Sequence, residues 1–408
     1  MKFPMNHIAS DIESKIRISF TEICLTALFV GLATAFAISV TMKPESAEAL
    51  YESQSIDSLV FRAAGEILRD GKSPYSIQNQ VESIAARELN GNTPSFAIPF
   101  AYPPNSLPLF RLRVLGQPEL NAAVFMGTTV LFSLLSLTLI CLRYLKRASA
   151  RLLVTFVAAF WTPGLIGIKL GQTGHFVALV AFAFLLQHDR RPILAGILLG
   201  ILACKPQYAL PLGLVSLIRM NWRVLISAAS TFVLMSLFSA LLYGWSMWGE
   251  FWHSATEMNP TIYWMKSWPG VASLTFPDHV DLISKAAIPI YLLAMLLLSG
   301  LLIVLREKLD LLGMFSLAIL ITLVTSPNTH IYDMGLAFIP AIYITRQIGM
   351  ISWPPVIVFY VYLLPNSVLT VLMVAFLSGT QLCLLLLCLV LLVYSCSQKN
   401  TGRILSVD

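Results

Sequence analysis

Charged residues are scarce in this chain of 408 residues. Asp, Glu, Lys and Arg together make up 12% of it, whereas about 25% is usual in soluble domains. Because 57% of the residues are hydrophobic as well, the composition excludes a water-soluble globular protein. The alternation of polar and apolar residues that is typical of β-barrel strands is also missing. The sequence therefore predicts an integral membrane protein whose spans are helices.

Other absences exclude whole classes of site. The six cysteines all lie within or beside apolar runs, so neither a disulfide framework nor a zinc site is expected. The sequence contains no HExxH, CxxC or P-loop pattern and no acidic triplet, and we predict no metal site and no cofactor. Nothing resembles a nucleic-acid-binding module, so nucleic acid is not an expected partner.

Apolar runs dominate what is present, and each is long enough, or nearly so, to cross a hydrocarbon core of about 30 Å. They lie at 20–42, 121–142, 152–168, 174–187, 192–218, 222–243, 286–305, 311–325, 333–345, 353–374 and 380–396. The first run is longer than the ~7–15 apolar residues of a signal peptide, so we expect a retained helix. The pattern predicts about ten full spans in a single membrane domain, residues 1–408.

The basic residues indicate the topology. If the N-terminus is cytoplasmic, most of the 27 lysines and arginines fall on that side, in agreement with the positive-inside rule. This assignment requires the run 192–218 to enter the membrane and return, because the basic segments at 189–191 and 219–223 must share a side. Lys205 and Pro206 interrupt that run midway. We therefore predict a half-length helix hairpin, with a single kinked span as the alternative.

The opposite, non-cytoplasmic side collects the polar segments. Two long external loops are predicted there, 43–120 and 244–285. Three short polar segments are predicted on the same side: KLGQTGH at 169–175, the KPQ tip at 205–207 and SPNTHIYD at 326–333. The cytoplasmic loops, in contrast, are short and basic. Chemistry is therefore expected at the outer surface.

The first external loop contains the pattern of an amphipathic helix. From Ile56, apolar residues recur every three or four positions, Ser55 is placed to cap the helix and Gly71 to end it. We expect this helix to lie along the membrane surface, and a weaker helix to follow over 77–90. Asp57 falls in the first turn, where the helix dipole favours a carboxylate and holds its pKa low. It either stabilises the helix start or acts as a catalytic base.

Three further places are candidates for binding. Lys205 stands in the middle of an apolar run, where a lone ammonium group costs about 2.5–3.5 kcal/mol. A lipid phosphate is one possible partner; snorkelling or a structural carboxylate are the alternatives. Gln172 ends an outward loop at the start of a helix, a place suited to an anion or to sugar hydroxyls. His330 and Asp333 would share a face of a helix, as structural residues or as parts of a site.

Five segments, in this order along the chain, resemble those of the family-87 glycosyltransferases. They are IDSLVFRAAGEILRDGKSPY from Ile56, AYPP at 101–104, GQTG at 171–174, GILLGILACKPQYALPLGL at 196–214 and SPNTHIYD at 326–333. The family consists of polyprenyl-phosphate-sugar-dependent enzymes with the C-type membrane fold, exemplified by mycobacterial mannosyltransferases of phosphatidylinositol mannoside synthesis. The resemblance extends from about residue 50 to about residue 340.

The resemblance implies an inverting hexosyltransferase in the bacterial inner membrane, with its active site on the periplasmic or extracellular side. It implies a polyprenyl-phosphate sugar, with a mannose-like hexose, as the donor and a glycolipid or polysaccharide hydroxyl as the acceptor. Asp57 matches the family's general base and His330 its late histidine, and we predict both to be catalytic. The other candidates are predicted to bind substrate: Tyr102, Gln172, Lys205, Gln207 and Asp333.

The residues themselves are compatible with this chemistry. An inverting transfer needs one ionised carboxylate to take the acceptor proton, while a departing phosphate needs no proton. The missing paired-carboxylate motif therefore weakens a glycosidase assignment but not a transferase assignment. The alternative function is a transporter or flippase of a lipid-linked sugar, since broken helices also serve transporters. The sequence shows no repeated halves, which such transporters usually have.

Overall fold

The structure, a computed structural model, describes residues 18–42, 56–88, 100–256, 262–263 and 265–348. These residues form α-helices and short 3-10 helices, and they contain no strand. The predicted all-α class is confirmed. The predicted cap Ser55 and the last two predicted spans, 353–374 and 380–396, lie outside the described residues.

The helices are named here in chain order. They are α1 Phe20–Met42, α2 Ile56–Arg69, α3 Ile77–Glu88, α4 Leu107–Arg113, α5 Pro118–Tyr144, α6 Ala148–Phe160, α7 Thr162–Lys169, α8 Gly174–Gln187, α9 Pro192–Leu202, α10 Pro206–Ile218, α11 Trp222–Tyr243, α12 Ser246–Thr256, α13 Trp268–Thr275, α14 Val280–Leu305, α15 Leu311–Thr325 and α16 Phe338–Ile348. The described 3-10 helices are Pro104–Ser106, Pro277–His279 and Ile331–Ala337.

Five stretches of the described residues are long and apolar enough to cross a membrane. They are α1, α5, α6 together with α7, α11, and α14 with the 3-10 turn before it. Shorter apolar helices accompany them: α8, α9, α10 and α15. The chain is therefore a membrane protein with several helical spans, while the total of about ten stays a prediction.

Two predicted spans differ in detail from single helices. The run 152–168 is divided between α6 and α7, because the chain is extended at Trp161 and Pro163 just beyond has no N–H to donate. The run 333–345 starts within the 3-10 helix Ile331–Ala337 and becomes α-helical at α16. Both interruptions lie close to the polar segments at 169–175 and 326–333, so they shape the candidate site.

The run 192–218 folds as a hairpin, with Lys205 at the turn between α9 and α10. Just before α9, His188 Nε2 lies 3.1 Å from the hydroxyl oxygen of Ser216, which is near the end of α10. The side-chain amide of Asn221 donates to the carbonyl oxygen of His188 at 3.2 Å. A single kinked span would keep these ends apart by the lengths of both helices, about 1.5 Å per residue. The structure therefore has the predicted hairpin and not the kinked span.

The helix predicted from Ile56 is α2, which ends before Gly71, and the weaker predicted helix is α3. The apolar residues of α2 from Leu59 to Leu68 are buried by other parts of the chain. Phe61 packs against Tyr102, with 5.4 Å between ring centroids, and Ile67 packs against Ile84 of α3. Protein therefore covers the apolar face of α2, and its position along a membrane surface stays a prediction.

A buried ion pair joins the N-terminal ends of α1 and α6. Arg151 donates from Nη2 to Glu22 Oε2 at 2.8 Å and from Nε to the other carboxylate oxygen. Both side chains are almost fully buried. Because basic residues at 143–151 mark the cytoplasmic side in the predicted topology, this pair places the start of α1 on the same side.

Candidate active site

Four segments that are far apart in the sequence meet around the turn of the hairpin. The ammonium group of Lys205 forms an ion pair with Asp333, with 2.7 Å between Nζ and Oδ1. The Asp57 carboxyl is hydrogen-bonded to Gln172 and lies within electrostatic reach of Lys205. The structure thus brings the beginning of α2, the loop before α8, the hairpin turn and the segment 326–333 into one cluster of polar side chains.

Asp57 is half-buried in the first turn of α2. Burial raises the pKa of its carboxyl above the ordinary value of 3.8, although the hydrogen bond with Gln172 and the charge of Lys205 lower it. The low pKa expected from the helix dipole is therefore wrong, because lost hydration outweighs the stabilising charges. A carboxylate with a raised pKa accepts a proton more readily, which favours general-base catalysis.

Lys205 is balanced by a charge within the protein. Besides its contact with Asp333, its ammonium group lies 5.1 Å from the ring centroid of Tyr332 and 5.7 Å from that of Tyr102. Of the partners considered for this lysine, the structure provides a carboxylate. A buried ammonium group needs such a partner, since removing one member of a buried pair costs about 3–5 kcal/mol.

His330 immediately precedes the 3-10 helix Ile331–Ala337. Its backbone N–H donates to Asp333 Oδ2 at 3.2 Å. The two residues therefore meet through the backbone of a 3-10 turn, and the prediction that they share a face of a helix is replaced by this contact. The imidazole stacks on the ring of Tyr332, with 5.2 Å between centroids. The charge of Asp57 acts on Tyr332. The ring of Tyr332 is therefore in contact with His330 and within electrostatic reach of the Asp57 carboxylate.

The charge state of His330 follows from its surroundings. Burial lowers the pKa of His330 to about 4; the charge of Asp333 raises it, and those of Lys205 and Lys266 lower it. The imidazole is therefore neutral at pH 7. A neutral imidazole can donate one hydrogen bond and accept another, so His330 is suited to orienting a polar group without adding charge.

Tyr102 connects the AYPP loop to the rest of the site. Its hydroxyl shares a hydrogen bond with Thr173, and its carbonyl oxygen accepts a hydrogen bond from Tyr75 at 2.8 Å. Burial raises the pKa of Tyr102 to about 12, so the phenol stays protonated. Tyr102 thereby links the loop before α8, which carries Gln172, to Tyr75 in the segment that follows α2.

The two predicted glutamines have different contacts. Gln207 donates to the carbonyl oxygen of Asn328 at 3.1 Å, and its own backbone carbonyl accepts from Tyr291 at 2.7 Å. It holds the hairpin turn against the segment 326–333. Gln172 is hydrogen-bonded to Asp57, but its Oε1 is buried and has no hydrogen-bond partner among the described residues. The same holds for Oδ1 of Asn328.

Unpartnered buried oxygen atoms of this kind indicate a binding site for a polar molecule. Each costs about 1–3 kcal/mol when it has no hydrogen-bond donor, and most buried polar atoms in proteins are paired. Oε1 of Gln172 and Oδ1 of Asn328 are therefore atoms that could accept hydrogen bonds from a bound polar molecule.

The approach of α8 to the 3-10 helix is close enough to require glycine. A Cβ atom on Gly174 would overlap the carbonyl oxygen of Tyr332, and one on Gly167 would be 2.9 Å from Tyr332 Cβ. This contact between backbones keeps Tyr332, and with it His330, beside the loop that carries Gln172. Gly174 of GQTG and Gly167 of α7 thus position the site.

Sequence reasoning missed Lys266, a lysine of the predicted second external loop. Its side chain is 6% exposed, and its backbone N–H donates to the carbonyl oxygen of Thr329 at 2.6 Å. Thr329 immediately precedes His330, and the charge of Lys266 contributes to the lowered pKa of that histidine. The signal in the sequence was one lysine between aromatic residues, YWMKSWP at 263–269, which also fits an ordinary interfacial segment.

The fold and this cluster define a helical membrane protein in which buried polar side chains from four distant segments meet. The model of glycosyltransferase family 87 matches residues 100–327, which is more than half of the chain, and the chain belongs to this family. It is therefore a membrane glycosyltransferase. No curated protein and no solved structure matches the chain. Asp57, His330 and Asp333 lie outside the matched range.

Proposed function

We propose that the enzyme transfers a mannose-like hexose from a polyprenyl-phosphate donor to a hydroxyl group of a glycolipid or polysaccharide. Transfer takes place on the non-cytoplasmic side of a bacterial inner membrane. The observation that carries the proposal is the half-buried carboxyl of Asp57, which is hydrogen-bonded to Gln172 and lies within electrostatic reach of Lys205. Sugar transfer follows from the family, and this carboxyl supplies its base.

The reaction is a single displacement with inversion at the anomeric carbon. The acceptor hydroxyl gives its proton to the Asp57 carboxylate while its oxygen attacks C1 of the donor sugar. The bond between C1 and the phosphate oxygen breaks, and its electron pair remains on the phosphate. The products are the new glycoside and polyprenyl phosphate. General-base assistance of this kind contributes about 10²–10⁴-fold to the rate.

The surrounding residues orient the reactants in this proposal. Gln172 holds the Asp57 carboxyl, and its unpartnered Oε1 accepts a hydrogen bond from a sugar hydroxyl. The neutral imidazole of His330 hydrogen-bonds to the donor. Lys205 and Asp333 form the floor of the site, and the charge of Lys205 favours the ionised form of Asp57 by lowering its pKa against the effect of burial.

A transfer assay tests the proposal. Purified enzyme in liposomes is given a radiolabelled polyprenyl-phosphate mannose and a lipid extract as the acceptor. We expect the label to appear in a new glycolipid or polysaccharide product. Label that only changes leaflet would identify a flippase and overturn the proposal.

Substitution of the base tests the mechanism. We expect Asp57→Asn to lower kcat by at least about 100-fold, with an unchanged melting temperature in detergent, because the amide is close in size but cannot take a proton. The matched control is Asp70→Asn, since Asp70 lies just after α2 and is exposed, with Arg69 as its neighbour. An Asp57→Asn enzyme that keeps wild-type turnover would reject the assignment of the general base.

A further inference from the structure

We propose that the hydroxyl group of Tyr332 donates a hydrogen bond to one hydroxyl of the donor sugar and thereby contributes to the choice of sugar. The inference rests on the proposed function, because it assigns a further residue to the same binding site. Tyr332 belongs to the 3-10 helix Ile331–Ala337 and is half-buried. It lies against His330 and against the loop that carries Gln172, the two residues that are proposed to orient the donor.

The ring of Tyr332 is held in place through its π face. The imidazole of His330 lies nearly parallel to it, with 13° between the ring planes and 5.2 Å between the centroids. The ammonium group of Lys205 lies 5.1 Å from the centroid of the same ring. Stacking and cation–π contacts of this kind use the ring and leave the hydroxyl group free.

The backbone of Tyr332 is fixed against the segment 167–174. A Cβ atom on Gly174 would overlap the carbonyl oxygen of Tyr332, and one on Gly167 would lie 2.9 Å from Tyr332 Cβ. The backbone N–H of Gln172 donates to the carbonyl oxygen of Gly167 at 2.8 Å. Tyr332 therefore packs against both ends of the segment that carries Gln172, and its position is set before a ligand binds.

The hydroxyl group is the part of Tyr332 that the protein leaves unused. It forms no hydrogen bond with the residues that the structure describes, and it is not among their buried polar atoms that lack a partner. Its oxygen is therefore open to a ligand. Neighbouring tyrosines use their hydroxyl groups within the protein: Tyr102 shares a hydrogen bond with Thr173, and Tyr291 donates to the carbonyl oxygen of Gln207 at 2.7 Å.

The chemistry of this hydroxyl suits a sugar. Burial raises the pKa of Tyr332 well above its ordinary value, and the charges of Asp333 and Asp57 raise it further. The phenol therefore keeps its proton at neutral pH and can donate a hydrogen bond. In the proposed reaction the transferred sugar lies between the acceptor, whose proton goes to Asp57, and the phosphate. A group that contacts His330 and is within electrostatic reach of Asp57 is placed beside this sugar.

Donor analogues test the inference. Polyprenyl-phosphate mannose is compared with a set of analogues, each of which lacks one hydroxyl of the sugar. Tyr332→Phe keeps the ring and is expected to lower kcat/KM for the parent donor about fivefold to 100-fold, because one sugar hydroxyl loses its donor in a buried site. With the analogue that lacks this hydroxyl, wild type and Tyr332→Phe should have equal kcat/KM, since neither can form the bond.

Two further variants serve as controls. Tyr263→Phe removes the hydroxyl of a tyrosine that is 37% exposed and should behave like wild type with every donor. Tyr332→Leu removes the ring as well and should lower the melting temperature in detergent, because the contacts with His330 and Lys205 are lost. Tyr332→Phe should leave the melting temperature unchanged. A lower melting temperature of Tyr332→Phe would show that the hydroxyl stabilises the fold and would overturn the inference.

The remaining outcomes separate this inference from the proposed function. If wild-type enzyme transfers mannose and Tyr332→Phe has the same kcat/KM, the inference is wrong and the proposed function stands. The inference is also wrong if Tyr332→Phe lowers kcat/KM by one common factor for the parent donor and for every analogue, because the hydroxyl then contacts no sugar hydroxyl. If wild-type enzyme transfers no sugar from a polyprenyl-phosphate donor, both proposals are wrong.

Discussion

Burial favours the neutral forms of both Asp57 and His330. The pKa values of the two groups therefore shift in opposite directions. Burial raises the pKa of Asp57 and lowers that of His330 to about 4, because a low-dielectric surrounding disfavours the charged form of each group. At neutral pH the histidine is therefore uncharged, while Gln172 and Lys205 favour the ionised form of Asp57 and offset part of the effect of burial on its pKa. The proposed base depends on this local balance.

The balance at Asp57 predicts a change in pH dependence. A base must be ionised, so activity falls as the pH falls through the pKa of Asp57, and the raised pKa moves this acid limb above the range of an ordinary aspartate. Removing the hydrogen bond in Gln172→Ala raises the pKa further and should shift the acid limb of kcat to higher pH. Gln78→Ala, at an exposed glutamine of α3, is the control. An acid limb of kcat that stays in place or moves to lower pH would contradict the assignment.

The lowered pKa of His330 predicts sensitivity of the fold to acid. Between pH 6.5, the ordinary histidine value, and about 4 the unfolded chain binds a proton that the folded protein does not, so stability is lost as the pH falls through this window. His330→Asn should therefore lose less melting temperature than wild type between pH 7 and pH 4.5. The exposed His279→Asn should behave like wild type. Equal acid sensitivity of His330→Asn and wild type would show that His330 does not carry this effect.

At the scale of elements, the hairpin of α9 and α10 is tied to the segment 326–333 by several contacts. The ion pair of Lys205 with Asp333 and the hydrogen bond from Gln207 to Asn328 both cross between these elements. These polar contacts hold the tip of the hairpin against the segment 326–333.

The ion pair predicts a non-additive response to substitution. Asp333→Asn leaves the ammonium group of Lys205 buried without its carboxylate, and the free energy of unfolding should fall by about 3–5 kcal/mol. The double variant Lys205→Met with Asp333→Asn removes the charge as well and should be more stable than Asp333→Asn alone. Denaturation in detergent measures both. Strictly additive losses would mean that the two residues do not stabilise the protein as a pair.

At the scale of the whole molecule, two buried polar contacts lie near basic segments of the chain. The pair of Glu22 with Arg151 and the contact of His188 with Ser216 are at helix ends that the predicted topology assigns to the cytoplasm. The hairpin separates the second contact from Lys205 by the length of α9, which is 11 residues or about 16 Å. The site is thus separated from the basic segments at 189–191 and 219–223 by the length of a half-length helix.

This arrangement predicts the outcome of labelling with a membrane-impermeant maleimide. In a background without the native cysteines, Arg190→Cys should react from the cytoplasmic side and Asp70→Cys from the opposite side, because both positions are exposed and the predicted topology assigns them to opposite sides of the membrane. Labelling in vesicles of defined orientation distinguishes the two. Reaction of both cysteines from one side would overturn the topology and the location proposed for the active site.

The sequence alone predicted the membrane class, most of the described helices and the hairpin, because lipid requires long apolar segments and the basic segments at 189–191 and 219–223 favour one side of the membrane. It also singled out the residues that the structure gathers around Lys205, through their resemblance to one family. Only the tertiary structure decided that Lys205 is balanced by Asp333, that burial raises the pKa of Asp57, and that Lys266 adjoins His330. Desolvation and ion pairing depend on which distant segments come into contact, and no local pattern in the chain contains that information.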